Sequence, residues 1–256
     1  MKKLTIISTI LAIVTIVPAL WYWQFSSQLV SEPHYDDYWS VNQPHLIPEE
    51  NLLTNKAIDV LFVGDTSFGE NYHGSNFFEN RQYDFFLEKL VPLLKQADFV
   101  IANLETPITN LLTSPLDGGK KYIHWADIRK TPKALKKHNI HCVSLANNHT
   151  MDYGPKGLQQ TMAVLDKNQI QWFGAGLNAS QASQPIYKKF AIGQNTFQLI
   201  VTAGFEHRNH YKTRYNYYAT GNVGGVNRWK QQEIINQLGQ TRQSNAEAFI
   251  VAYPHW

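Results

Sequence analysis

The sequence predicts an α/β protein with a largely parallel sheet, carried behind a membrane-targeting segment. Three observations predict it. From Ala57 onward, short apolar runs that stop at Gly, Asn or Asp alternate with runs of helical spacing, the order expected of strands joined by crossover helices. Ile186–Ile192 and Thr196–Ala203 flank Gly193-Gln194-Asn195, a hairpin pattern that implies a second, mixed or antiparallel portion. An uncharged run from Leu4 to Trp23 follows Lys2 and Lys3.

That first run, at about 1.5 Å per residue, is long enough for a hydrocarbon core of about 30 Å. Trp21, Tyr22 and Trp23 close it with the aromatic residues that favour a membrane interface, and Lys2 and Lys3 favour the cytoplasmic side. The expectation is a transmembrane signal-anchor over 1–23 with the bulk of the chain extracytoplasmic, at the cell membrane as a single-pass protein. A cleaved signal peptide is the alternative, but no clear small-x-small cleavage site is present; Pro18-Ala19-Leu20 is a poor one. Residues 24–56 read as a linker, with Pro33, Pro44, Pro48, five acidic residues and no apolar period. Residues 57–256 then form the domain.

Within it, Ala57–Gly64 is a buried strand stopped by Gly-Asp. Asp84–Gln96 carries Phe85, Leu87, Leu90, Leu93 and Leu94 at helical spacing, with Pro92 as a kink or break. Asp98–Asn103 is a second buried strand. Thr131–Lys137 is a helix with Thr131 as cap and Pro132 at its first position. Ile140–Leu145 is a third strand, Pro155–Asn168 a helix bearing Leu158, Met162 and Leu165, and Ile170–Phe173 a strand ended by Gly174. After the hairpin, Asn227–Leu238 reads as a helix and Ala246–Tyr253 as a final strand.

A hydrophobic fraction of 43% and a charged fraction of 17% are those of a folded chain rather than a disordered one. The formal charge of +3 is mild, and Lys2, Lys3 and Lys56 lie outside the domain or at its edge. No basic cluster is dense enough to argue for nucleic acid. The single cysteine, Cys142, excludes an intrachain disulfide, and its apolar neighbours make it a small core residue. Gly221-Asn222-Val223-Gly224-Gly225 lacks a following Lys-Ser/Thr, so it is no phosphate-binding loop.

Ligands of α/β sheets gather at the carboxyl ends of strands. Three predicted strands end in Gly64-Asp65, in Asn103-Leu104-Glu105 and in Asn147-Asn148-His149 followed by Asp152; the last strand leads to His255. Carboxylates, amides and imidazoles meeting there are the donors of a divalent-metal hydrolase. Each residue alone also has an ordinary reading. Asp65 can be a turn residue, Glu105 a solvated loop charge, Asn147-Asn148 a left-handed turn and His149 a hydrogen-bonded core histidine.

The blocks Val63–Glu70, Ala102–Thr109 and Ser144–Gly154, with Gly174-Ala175-Gly176-Leu177-Asn178, Ala182 and His255-Trp256, resemble the CapA/poly-γ-glutamate capsule-synthesis family from about Ile58 to the end. That family is related to calcineurin-like metallophosphoesterases, so the resemblance implies a metallophosphoesterase-like β-sandwich flanked by helices. It implies Asp65, Glu105, Asn148 and His255 as metal ligands, Glu105 as the bridging carboxylate and His149 as general acid. Asn103, Asn147, Asp152 and Lys121 are then expected at the substrate. The implied cofactors are divalent metal ions: Mn, Fe, Zn or Mg. A role in capsule or poly-γ-glutamate biosynthesis or export follows, with the membrane, a polyanionic polymer and other capsule-synthesis subunits as partners. The alternatives are a metal-dependent phosphoesterase of other substrate and an inactive truncated remnant. The wider superfamily has a His two residues after its first Asp; Ser67 stands there. The family also continues to a later Gly-His-x-His-type segment, so the domain is expected to be incomplete and the chain a fragment of a longer protein. Lys120, Lys121, Tyr122, His124 and Trp125, with Arg129 nearby, form a cationic–aromatic stretch that either meets the polymer or is an exposed loop with one buried Trp. Arg208, His210, Lys212 and Arg214 are a second cationic group suited to the same cleft.

Overall fold

A computed structural model describes residues 57–68, 83 and 87–256. The expected signal-anchor over 1–23, the linker over 24–56 and the first residues of the helix expected from Asp84 lie outside the described residues. None of the described helices is long and apolar enough to cross a membrane.

Four strands, β1 (Val60–Thr66), β2 (Phe99–Leu104), β3 (Cys142–Ser144) and β4 (Gln171–Phe173), pair in that order, all parallel. Three crossover helices, α1 (Val91–Gln96), α2 (Lys130–Lys137) and α3 (Gly154–Lys167), alternate with them. The strand period of two sorts side chains to opposite faces. Leu61, Val100, Ala102, Leu104 and Val143 face the helices and meet Leu94, Leu135, Leu158, Met162 and Leu165 in one core cluster.

The other face carries Val60, Phe99, Ile101, Cys142 and Phe173, which pack against Ile186, Leu199, Val201 and Ala203. These last come from a second sheet. After the short elements β5 (Ala175–Gly176) and α4 (Ala179–Ala182), strands β6 (Ile186–Ile192) and β7 (Asn195–Glu206) form the expected hairpin. Ile192 pairs with Asn195, so the turn is Gly193-Gln194 and Asn195 already belongs to a strand. Gly193 has φ +60°, a backbone region open to glycine at little cost. A short helix α5 (Asn209–Thr213), β8 (Gly225–Val226) and β9 (Arg228–Trp229) follow. Next come α6 (Gln231–Ser244) and β10 (Phe249–His255), whose last strand lies parallel to β7. Two sheets thus face each other across one apolar layer, with helices on the outer face of the first.

Two sequence expectations are corrected. Asn227–Leu238 is not one helix: Asn227 Nδ2 donates to Ala203 O at 2.7 Å, and Arg228–Trp229 pairs with Phe205–Glu206 of β7. Ladder bonds to a buried strand outweigh local helical spacing there, and α6 starts only at Gln231. Thr131 does not cap α2. Asp127 does, its Oδ1 accepting from Arg129 N at 2.7 Å and Lys130 N at 2.8 Å, while Thr131 is wholly buried. Pro92 falls in the first turn of α1 rather than within a longer helix, where its missing N–H is no loss. Cys142 is fully buried, and burial pushes its thiol pKa up, as fits an inert core residue.

Candidate metal centre

The parallel order of β1–β4 aligns their carboxyl ends, and the β7–β10 pair brings His255 to the same place from the second sheet. Register slips between Phe62 and Asp65 on β1, an irregularity of the kind that re-aims a side chain. Asp65 then lies beside Asn103 of β2, whose Nδ2 donates to Asp65 Oδ1 at 2.7 Å. Across the sheets, the Tyr253 hydroxyl donates to Val63 O and its ring lies 6.0 Å from Phe62, which fixes β10 against β1 two residues before His255.

Asp65, Glu105 and His255 offer ligand atoms that all lie within 4.8 Å of one another. His255 Nδ1 is 3.5 Å from Asp65 Oδ1 and its Nε2 is 3.6 Å from Glu105 Oε1. Asn148 Oδ1 adds a fourth donor atom, 2.6 Å from His255 Nε2. Asp65 is about half exposed; the hydrogen bond from His255 first, then Asn103, holds its pKa below the ordinary range against partial burial. Two carboxylates, an imidazole and an amide oxygen, drawn from three strand ends and the loop after β3, fit a divalent cation chemically. Oxygen and nitrogen donors of this kind suit Mn, Fe, Zn or Mg.

His149 stands beside this group. Its Nε2 is 3.9 Å from Glu105 Oε1 and its Nδ1 is 2.7 Å from Asp152 Oδ2. The ring stacks on His124, with centroids 3.3 Å apart and planes within 3°. Burial lowers the imidazole pKa, against the attraction of Asp152. Asp152 is completely buried. Burial would raise its carboxyl, but the hydrogen bond and charge of His149 and the charge of Lys120 outweigh that and lower it.

The structure brings Asp65, Glu105, Asn148, His149 and His255 together. The expected substrate residues divide differently. Asn103 touches Asp65 and lies 3.2 Å from His255 Nδ1. Asn147 is fully buried: its Oδ1 accepts from the His149 and Thr150 amides, both at 3.0 Å, and its Nδ2 donates to Asn103 Oδ1 and Leu104 O. It shapes the turn that presents Asn148 and His149. Asp152 lies behind His149 rather than in the open cleft. Lys121 is exposed, its Nζ 4.8 Å from the Tyr122 ring centre. Its neighbour Lys120 is the one turned inward, with an 8% exposed side chain against Asp152, and His124 is buried as well. The sequence pattern marked both as an exposed strip because alternate residues of a loop carry no burial signal. Tyr217, whose hydroxyl meets Lys120 and Asp152, had no local signal at all; it lies 65 residues from Asp152.

The profile described as "Bacterial capsule synthesis protein PGA_cap" matches residues 59–256. The chain is 29% identical over 158 residues to "PGA biosynthesis protein CapA" of Bacillus subtilis (strain 168), covering 62% of this chain and 40% of that protein. It is 28% identical over 134 residues to "Capsule biosynthesis protein CapA" of Bacillus anthracis, covering 52% and 32%. The matched stretches thus span well under half the length of these relatives. A match of this extent, running through every strand that contributes to the site, places the chain in the bacterial capsule synthesis protein PGA_cap family.

Proposed function

We propose that the chain is a membrane-anchored, extracytoplasmic component of capsule or poly-γ-glutamate biosynthesis or export, with a metallophosphoesterase-like site that holds a divalent metal ion. The observation that carries this reading is the convergence of Asp65, Glu105 and His255 from separate strands within the family-matched stretch. The printed name of the Bacillus subtilis relative supports the process, and the apolar run Leu4–Trp23 supports the anchor.

Asp65, Glu105, His255 and the Asn148 side-chain oxygen would hold the metal. Bound there, it would supply Lewis-acid polarisation of a phosphoryl or carbonyl oxygen. The rest falls to the chain. Asn103 orients Asp65, Asp152 orients His149, and His149 Nε2 receives or gives a proton beside Glu105. Lys121 and the cations of the 208–214 segment offer exposed positive charge to a polyanionic polymer. A metal-dependent phosphoesterase of other substrate is the second reading, favoured by the oriented His149–Asp152 pair.

Full-length protein purified in detergent, beside Asp65→Ala and Glu105→Ala, tests the metal reading by plasma mass spectrometry. Near-stoichiometric metal in the parent, lost in both variants, is the expected result. A folded parent that takes up no Mn, Fe, Zn or Mg would sink it. Carbonate-washed membranes test the anchor, which fails if the chain is recovered in the wash.

A further inference from the structure

Helix α2 is apolar on one side and basic on the other. Thr131, Pro132, Ala134 and Leu135 form its buried face. Arg129 at its N-cap, Lys130, Lys133, Lys136 and Lys137 are all exposed. No Asp or Glu stands between Ile128 and Met151, so no carboxylate of the helix itself offsets these charges. Residues three and four apart are neighbours on a helix, and Lys133 has Arg129, Lys130, Lys136 and Lys137 at those spacings, a like-charge arrangement that opposes helix formation. Lys136 and Lys137 lie in the last turn, where the helix dipole favours cations, but Arg129 and Lys130 stand at the first, where it disfavours them. Lys130 Nζ lies 5.8 Å from the Tyr83 ring centre, a contact that leaves the residue exposed. Helix stability does not account for this pattern, whereas an external anionic surface does.

We infer that this face of α2 is a docking surface for the phosphate headgroups of an anionic lipid bilayer. The place of the helix in the fold selects that partner. α2 runs down to the amino end of β3, and the amino end of β1, just after Ala57, lies at the same end of the parallel sheet. Chain arriving from the expected anchor enters there. Asn139 Nδ2 donates to Leu94 O at 2.7 Å and to Ala97 O at 2.9 Å, which ties the end of α1 to the end of α2 and brings the exposed Lys95 to it. The carboxylates at this end, Asp59 and Asp98, belong to the strand starts rather than the helix, and Asp98 Oδ2 accepts from Asp59 N at 2.8 Å. Eight helical residues make a face about 12 Å long, enough to meet several headgroups at once, and each cation near such a surface adds to the attraction. Lys121 and the 208–214 cations follow the carboxyl ends of β2 and β7, so they stay open when α2 is covered. The inference rests on the membrane anchoring in the reading above and adds to it a second, electrostatic hold that fixes how the domain lies: the bilayer meets the helix layer and leaves the cleft at the carboxyl ends of the strands open.

The test is the acetylation rate of each lysine, read by peptide mass spectrometry after treatment with an uncharged N-hydroxysuccinimide ester. The full chain is reconstituted into vesicles of phosphatidylcholine alone, or of phosphatidylcholine and phosphatidylglycerol in equal parts. Lys133 and Lys136 should react several-fold more slowly in the anionic vesicles at low salt, and the difference should vanish at high salt, where such attraction is screened. Lys121 and Lys189, exposed elsewhere, should react alike in both. In Lys133→Gln/Lys136→Gln, whose substitutions are both at exposed positions, Lys130 and Lys137 should lose their protection. Equal rates for Lys133 and Lys136 in the two vesicle types overturn the inference, as does protection that high salt leaves intact. Protection that appears in neutral vesicles on adding poly-glutamate, and not with anionic lipid, overturns it in favour of a polymer-binding face. Carbonate extraction of the same vesicles separates this inference from the reading it rests on: a chain released by the wash, yet protected by anionic lipid before it, would sink the anchor and leave the α2 face standing.

Discussion

Asp152 shows how far one residue's surroundings set its role. A carboxylate three residues after a histidine is unremarkable on a sequence, but here it is sealed from solvent and accepts from four donors. Its folded pKa lies below the ordinary 3.8 and that of His149 below 6.5. Both groups then bind fewer protons folded than unfolded, so both make stability rise with pH. The His149 contribution is complete above about pH 6.5 and fades on acidification; the Asp152 contribution is complete above about pH 4 and is lost below it. Urea midpoints of the parent should fall through these windows. Asp152→Asn should unfold at lower urea at pH 7 and show a flatter slope between about pH 3 and 5; an unchanged slope would mean that the carboxylate does not hold its depressed pKa. The residue types of the site were legible in the sequence: Asp65, Glu105, Asn148, His149 and His255 all stand where strand-end polar residues pointed. Which lysine turns inward was not, since Lys120 and Lys121 differ only in direction, and direction is set by Asp152 and Tyr217, distant in the chain.

At the scale of the element, the helices and strands with strong apolar periodicity, such as α3 with Leu158, Met162 and Leu165, came out of the sequence nearly as they are. Boundaries fixed by side-chain caps or by tertiary ladders did not. Asp127 satisfies two amides at the start of α2 that would otherwise have no partner. Asp127→Ala should cost about 0.5–2 kcal/mol in chemical unfolding, whereas Asp127→Asn, which keeps the accepting oxygen, should cost a fraction of that; equal losses would show that charge rather than capping matters. The stretch before α6 makes the complementary point. Arg228 and Trp229 are drawn into pairing with β7, and Glu233 accepts from the Lys230 amide at 3.2 Å and pairs with Arg228, so the helix begins after the strand rather than at Asn227.

At the scale of the molecule, the site depends on two sheets being held at a fixed offset. The apolar layer between them, with Phe99, Ile101, Val201 and Ala203, sets how closely His255 approaches Asp65 and Glu105. Ile101 is fully buried in that layer. Ile101→Ala should destabilise the fold by about 2–5 kcal/mol and also weaken metal uptake, although it touches no ligand; a stability loss with unchanged uptake would show that the triad is set locally. The sequence by itself determined the family, the strand–helix alternation, the mixed second sheet and the polar residue types at the strand ends, because each is written in local spacing or in short contiguous blocks. Only the tertiary structure decided that β10 runs beside β7 and faces β1, that Asn147 and Asp152 support the site from within, and that Tyr217 completes it. Those outcomes rest on contacts between residues far apart in the chain, where hydrogen-bond satisfaction and close packing, rather than local pattern, select the arrangement.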